Sequence, residues 1–322
     1  MLTRAYSADV SPFRFAVQCA HAESGAAWRA RARKIEDLGF STAYCPDHLD
    51  DQWAPTVAMT VAAEATTTLR VGALVYGVDY RHPAVLAKEM ATLDLATEGR
   101  LECGLGAGWM HQDYAQAGIG LDPPGVRIAR LAEAIDVCRG LWQAEPFSYE
   151  GSHYRIDAMT GTPRPHRPGG PLLVVGGGGP KVLALAARTA DIVGLNASLH
   201  EGTVGVGAAH SAVAARFDER RRWVEQAAGP ERFARLELQV LTFLVQITAT
   251  SAEAAHLFDS MAGLFGLEPD DAREVPLVLA GTVDEVCDRL LERRERWGIG
   301  YVVIHEHEVD AFAPVVARLA GT

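Results

Sequence analysis

The sequence predicts an α/β protein built as a (β/α)8 TIM barrel with insertion segments, as a single domain over residues 1–322. Three observations point there. Short β-rich runs alternate with longer helical patterns, which implies a parallel sheet joined by crossover helices. The alternation occurs eight times, and eight such units fill a core of about 250 residues. The remaining length falls in three stretches that fit neither pattern and read as insertions. A doubly wound open sheet gives the same rhythm and stays open as the rival.

In order, the predicted strands are 13–19, 41–45, 69–76, 100–105, 172–175, 192–195, 236–247 and 301–305. The helical stretches are 25–38, 54–66, 83–97, 125–141, 180–189, 208–227, 252–265 and 283–297. In the third helix Val85, Leu86, Met90, Leu93 and Leu95 are expected to favour one buried side. Gly39, Gly99, Pro123-Pro124 and Gly298 supply the breaks. The insertions are 145–171, which holds a hairpin-like FSYEGSHY, the Gly-rich and expectedly mobile 197–207, and 266–276. No repeat of 20–50 residues and no low-complexity segment is present.

Composition narrows the function. The chain is 48% hydrophobic and 22% charged, ordinary for a globular protein. A formal charge of −11 argues against non-specific binding to nucleic acid or an anionic membrane. Only Lys34, Lys88 and Lys181 are lysines among the 30 basic residues, an imbalance read as genome composition. Apolar runs such as 71–78 are strand-sized, far below the ~20 residues of a membrane span. The N-terminal MLTRAYSADVSPFRF lacks a continuous apolar stretch, so no signal peptide is expected. Five scattered cysteines without a C-x-x-C read as reduced thiols of a cytoplasmic protein.

In a barrel, function sits where strands end at their C-termini. Cys45-Pro46-Asp47-His48 follows the second strand: His48 can exchange a proton, and Asp47 can accept from a ligand or orient a ring, or the pair can simply cap the next helix. Gly72 and Gly77 in a buried strand suggest a bulge or a close approach to a ligand, or room for large neighbours. Gly104, Gly106 and Gly108 fail the dinucleotide fingerprint and offer either a floor for a flat ring or a tight βα turn. Gly176, Gly177, Gly178, Gly179 and Pro180 are the sharpest feature. Pro fits the first helical position, and side-chain-free amides beside a helix N-terminus favour an anion. A Walker loop is excluded because Lys181 follows Pro180. His305, Glu306 and His307 lack a third ligand at a recognisable spacing, so no metal site is expected. No lysine ends a strand, which disfavours Schiff-base chemistry, and no G-x-S-x-G elbow marks a hydrolase.

Several motifs in order carry a resemblance: Gly39-Phe40, Asp47-His48, Arg81-His82-Pro83, Leu93-Asp94, Gly99-Arg100, the stretch 104–109, the stretch 164–171, the glycine run, and LAGTVDEV at 279–286. Together they resemble the luciferase-like flavin monooxygenase superfamily, and within it the oxidoreductases that use the deazaflavin coenzyme F420. The likeness runs from about residue 13 to 319. It implies a tricyclic ring in the barrel mouth and its phosphate at Gly176–Gly179 and Pro180. It implies a cis bond between Leu74 and Val75 against one ring face, and cofactor contacts from Asp47, Leu74, Val75 and Gln112, to which the strand-end glycines Gly77, Gly106 and Gly108 add expected contacts of their own. His48 aligns with a proposed acid/base of the sugar-phosphate dehydrogenase branch, with Asp47 beside it as the second catalytic residue. That branch has Glu where this chain has Trp109, so sugar-phosphate specificity is not implied, and Trp109 and Trp53 suggest a more apolar substrate surface. The resulting expectation is hydride transfer between F420 and a small organic substrate, with a bound cofactor obligatory because side chains cannot accept hydride. An FMN-dependent monooxygenase and a non-catalytic flavin-binding protein are the alternatives. Relatives are commonly homodimers, and the same state is expected here.

Overall fold

The computed structural model describes residues 12–322. Eight parallel strands form the barrel: β1 (Arg14–Gln18), β2 (Thr42–Cys45), β3 (Arg70–Ala73), β4 (Leu101–Gly106), β5 (Leu172–Gly177), β6 (Ile192–Leu195), β7 (Glu237–Leu241) and β8 (Ile299–His305). Their order around the sheet is β3-β2-β1-β8-β7-β6-β5-β4, and β4 pairs back onto β3. Val71 lies opposite Leu101 in that closing pair, and Phe15 opposite Val302 in the β1–β8 pair. Closure removes both sheet edges and excludes the open doubly wound sheet.

The elements form where propensity and breaks coincide. The Pro180–Thr189 helix and the Val283–Trp297 helix have the predicted bounds. The second is fixed by a capping box in which Thr282 and Glu285 satisfy each other's backbone N–H. In the Pro83–Ala96 helix Leu86, Met90 and Leu93 are buried, but Val85 and Leu95 are 54% and 47% exposed. At about 100° per residue these two fall off the 86/90/93 stripe, so the expected five-residue face narrows to three.

Other expectations change more. The predicted strand 236–247 is two strands: after β7 the chain turns at Thr242-Phe243 and leaves the barrel as Leu244–Ile247, which pairs in parallel with Val278–Gly281. The stretch 208–227 divides into the Val206–Ser211 and Ala214–Ala228 helices, the break following Ser211, whose hydroxyl turns onto Ala208 O and receives Ser198 N. The insertion at 145–171 contains the hairpin Phe147–Glu150 with Arg155–Met159, and 266–276 contains the Pro269–Arg273 helix. The helices His111–Ala117 and Val309–Leu319 had no predicted counterpart. The N-terminal leader expectation rests mainly on residues 1–11, which lie outside the described residues. All five cysteines are buried and unpaired.

The inside of the barrel is packed: Ala16, Tyr44, Val174, Ile192, Tyr301 and Val303 form one cluster, with Leu74 and Leu241 against it. The larger core lies between strands and helices. Every strand delivers its C-terminal end to one rim, and the loops there build the site.

Candidate active site

β2 stops at Cys45 because Pro46 has no N–H to continue a ladder, and the chain turns into the mouth with Asp47 and His48. Asp47 is buried, and both of its oxygens are occupied. Arg81 donates to Oδ2 at 2.6 Å and to Oδ1 at 3.0 Å, and the Gly77 N–H donates to Oδ2 at 2.9 Å. Arg81 also lies 4.6 Å from the centre of the Tyr76 ring. Asp47 therefore ties the end of β2 to the segment after β3, and it does not orient a ring.

The group that orients His48 is Asp113, whose Oδ2 is 2.7 Å from His48 Nδ1. Asp113 sits on the His111–Ala117 helix after β4, with its side chain 2% exposed. Its carboxylate also faces Leu49 N and Tyr80 OH, each at 3.4 Å. Burial, together with this carboxylate, holds the Tyr80 phenol protonated well above its ordinary range. Trp109 meets the His48 ring edge-on, with centroids 5.5 Å apart. Nothing in the sequence spacing announced the pair: 65 residues separate its members. The one available signal was an acidic residue beside Gln112. Gln112 itself is exposed on the same helix.

The neighbouring wall is a bulge. β3 ends at Ala73 and pairing resumes at Tyr76–Gly77, leaving Leu74 and Val75 between, joined by a cis peptide bond. Gln18, at the end of β1, donates from Nε2 to Leu74 O at 3.2 Å. The glycines of β4 answer to this bulge. A Cβ on Gly104 would lie 2.0 Å from Ala73 O, and one on Gly106 would lie 2.3 Å from Val75 Cγ2. Their immediate use is thus to seat the bulge. Gly108 has φ +73°, and a Cβ there would meet Tyr114 OH at 1.7 Å.

The glycine run divides. Gly176 and Gly177 are the last residues of β5, paired with Gly194 and Leu195. The run was expected to lie wholly in the loop, but the ladder extends two residues further because β6 runs alongside. Added Cβ atoms on Gly176, Gly177 and Gly178 would meet Gly194 O at 2.8 Å, Val182 Cγ1 at 2.4 Å and Ala197 O at 2.4 Å. Gly179 differs: nothing lies within 4 Å of its Cβ position. It is the N-cap of the Pro180–Thr189 helix, with Pro at the start and no side chain capping the first turn. This open, main-chain-lined corner fits the phosphate of a flat cofactor, since uncapped N–H groups at a helix start favour an anion.

On the far side of the rim His305 Nε2 lies 2.9 Å from Thr242 O, and Glu306 pairs with Arg31. Among the described residues no helix is long and apolar enough to cross a membrane.

The model of the luciferase-like monooxygenase family matches residues 10–300. The chain belongs to that family. A relative from Nakamurella multipartita, named F420-dependent glucose-6-phosphate dehydrogenase, is 32% identical over 191 residues, which cover 56% of this chain and 55% of the relative. The chain spans about half to two thirds of the length of the curated relatives it matches. Among solved structures, the coenzyme F420-dependent tetrahydromethanopterin reductase of Methanopyrus kandleri superposes with a TM-score of 0.76 at 18% identity, covering 96% of this chain and all of that one. Riboflavin lyase, solved with modified FMN, gives 0.73 at 15% identity, covering 95% of this chain and 90% of its own. At these identities the two structures speak to the luciferase-like fold alone.

Proposed function

We propose that this luciferase-like protein is an oxidoreductase that transfers a hydride between coenzyme F420 and a small organic substrate. The observation that carries the reading is the open corner at Gly179, on the same rim as the oriented His48. Relatives named for F420 dependence support the choice of cofactor. When bound, F420 supplies the carbon that accepts or gives the hydride. Gly179, Pro180 and the first turn of their helix would hold the phosphate, with Gly176, Gly177 and Gly178 packing that corner against β6 and its loop. Leu74 and Val75 would lie against one ring face, with Gly106 behind them, and Gly77, Gly108 and Gln112 would complete the cofactor's surroundings. Asp47 would act by holding Arg81 and Gly77 in place. His48 would exchange the proton that accompanies the hydride. A single barrel domain acting as a cytoplasmic homodimer completes the proposal; exposed Val57 and Val85, on the helices after β2 and β3, are apolar surface available to a second copy, and light scattering on the purified protein measures the state.

Fluorescence titration with F420 and with FMN tests the cofactor. Saturable F420 binding is the expected result, with reduced F420 then oxidised by at least one of a panel of enones and nitro compounds. Tight FMN binding without any response to F420 would replace the proposal with an FMN-dependent monooxygenase. F420 binding with no turnover across the panel would make the protein a non-catalytic deazaflavin binder.

A further inference from the structure

We propose that Asp113 is a positioning residue for His48: its carboxylate holds the imidazole by Nδ1–H, so that the proton exchanged with substrate passes through Nε2. The inference rests on the hydride-transfer reading above and adds a residue and an atom to it.

Four observations carry it. The Nδ1 to Oδ2 separation is 2.7 Å, the length of a charge-assisted hydrogen bond. A carboxylate oxygen accepts, so Nδ1 is the nitrogen that bears hydrogen, and which ring nitrogen is free follows from what the other one binds. The ring is also braced from a second direction by the edge-on Trp109. Asp113 is itself held, being 98% covered and facing Leu49 N and Tyr80 OH. His48 retains 21% side-chain exposure, so the imidazole reaches the mouth while the carboxylate does not. A ring fixed in this way offers one nitrogen at one place, whereas an unpaired imidazole would divide its time between orientations, and small misplacements of a reacting group lower rates steeply.

The proton balance is simple. In the oxidising direction a substrate hydroxyl would give its proton to Nε2 as its carbon gives up a hydride, for which the cofactor, when bound, would supply the acceptor, and the O–H electron pair would become the second C–O bond. In the reducing direction Nε2–H would return the proton to the oxygen as the carbon receives the hydride.

The test compares wild type with Asp113→Asn, Asp113→Ala, His48→Ala and the double variant His48→Ala/Asp113→Ala. The first readout needs no cofactor: 15N-histidine NMR at a pH near 8.5, where an ordinary imidazole is neutral, with His48→Ala identifying the resonance. Wild type is expected to show the Nδ1–H tautomer at His48, Asp113→Asn to keep it through its amide oxygen, and Asp113→Ala to lose it. The second readout is turnover of the F420-loaded enzyme. Asp113→Ala is expected to lower kcat about 100-fold with KM and F420 affinity within about 3-fold, Asp113→Asn to recover about a tenth of wild-type rate or more, and the double variant to be no slower than His48→Ala. An Nε2–H tautomer in wild type, or losses that multiply in the double variant, would overturn the proposal. So would full kcat in Asp113→Ala beside a slow His48→Ala. A fully active His48→Ala would remove the proton role of His48 itself, and is thereby told apart from failure of the Asp113 pairing alone.

Discussion

The two ends of the barrel spend their polar groups differently. At the base, Glu102 is fully buried and takes hydrogen bonds from Arg14, from Arg70 at 2.8 Å, from Tyr44 and from Tyr301 at 3.0 Å. Arg14 reaches on to Glu237 at 2.7 Å, and Gln239 donates to Tyr44 OH at 3.0 Å. Burial works to raise the Glu102 carboxyl, and the Arg14 and Arg70 guanidiniums outweigh it, so the group stays below its usual range. At the mouth the groups pair in small separate sets: Asp47 with Arg81, Asp113 with His48, and Arg130 between Asp79 and Asp122. The mouth also keeps an uncapped helix start and an imidazole with one nitrogen uncommitted. A closed network at one end and open valences at the other is the division expected of this architecture, with stability at the base and chemistry at the C-terminal rim.

The largest expected effect tests the base. Glu102→Ala leaves two guanidiniums without their shared buried partner and is expected to lose roughly 3–5 kcal/mol of stability, read from urea unfolding. A loss below about 1 kcal/mol would mean that solvent already satisfies those groups. The mouth counterpart is smaller and of another kind. Gly179→Asp places a carboxylate in the open corner and is expected to weaken F420 binding about 10-fold while moving unfolding stability by no more than about 0.5 kcal/mol. Should Gly179→Asp bind F420 as wild type does, the phosphate lies elsewhere. The smallest effect is again at the base. Glu36 Oε1 accepts the N–H groups of Thr67, Thr68 and Leu69, at 2.9, 2.6 and 2.9 Å. Burial acts to raise its carboxyl, but these bonds prevail and hold it at about 2 in the fold, against an ordinary 4.5. A lowered folded value means stability that is present above pH 4.5 and lost as pH falls toward 2. Glu36→Gln is expected to flatten the acid limb of the unfolding midpoint in that window, and an unchanged limb would place the titration on other groups.

The rhythm of strands and helices was legible because each unit carries its own local signal. β6 and the Pro180–Thr189 helix agree with their predicted bounds. What escaped lacks local markers. The turn at Thr242-Phe243 has neither Gly nor Pro, so β7 and the strand beyond it read as one run. The His111–Ala117 helix, HQDYAQA, has no apolar stripe to betray it. The site divides along the same line. His48, the bulge signalled by Gly72 and Gly77, and the glycine run stand at strand ends and were visible as residue types, whereas Leu74 and Val75 came only from the family resemblance. That Asp113 and not Asp47 faces His48 is a tertiary fact, made by two loops that follow different strands. The glycines mislead in a further way: a sequence shows that side chains are missing, but only packing shows whether the vacated space stands open, as at Gly179, or is filled by neighbouring backbone, as at Gly104.

The Tyr44–Tyr301–Glu102 plug has one more consequence. With the axis stoppered below by these side chains, nothing reaches the mouth through the barrel, and a ligand there would come and go by the rim alone.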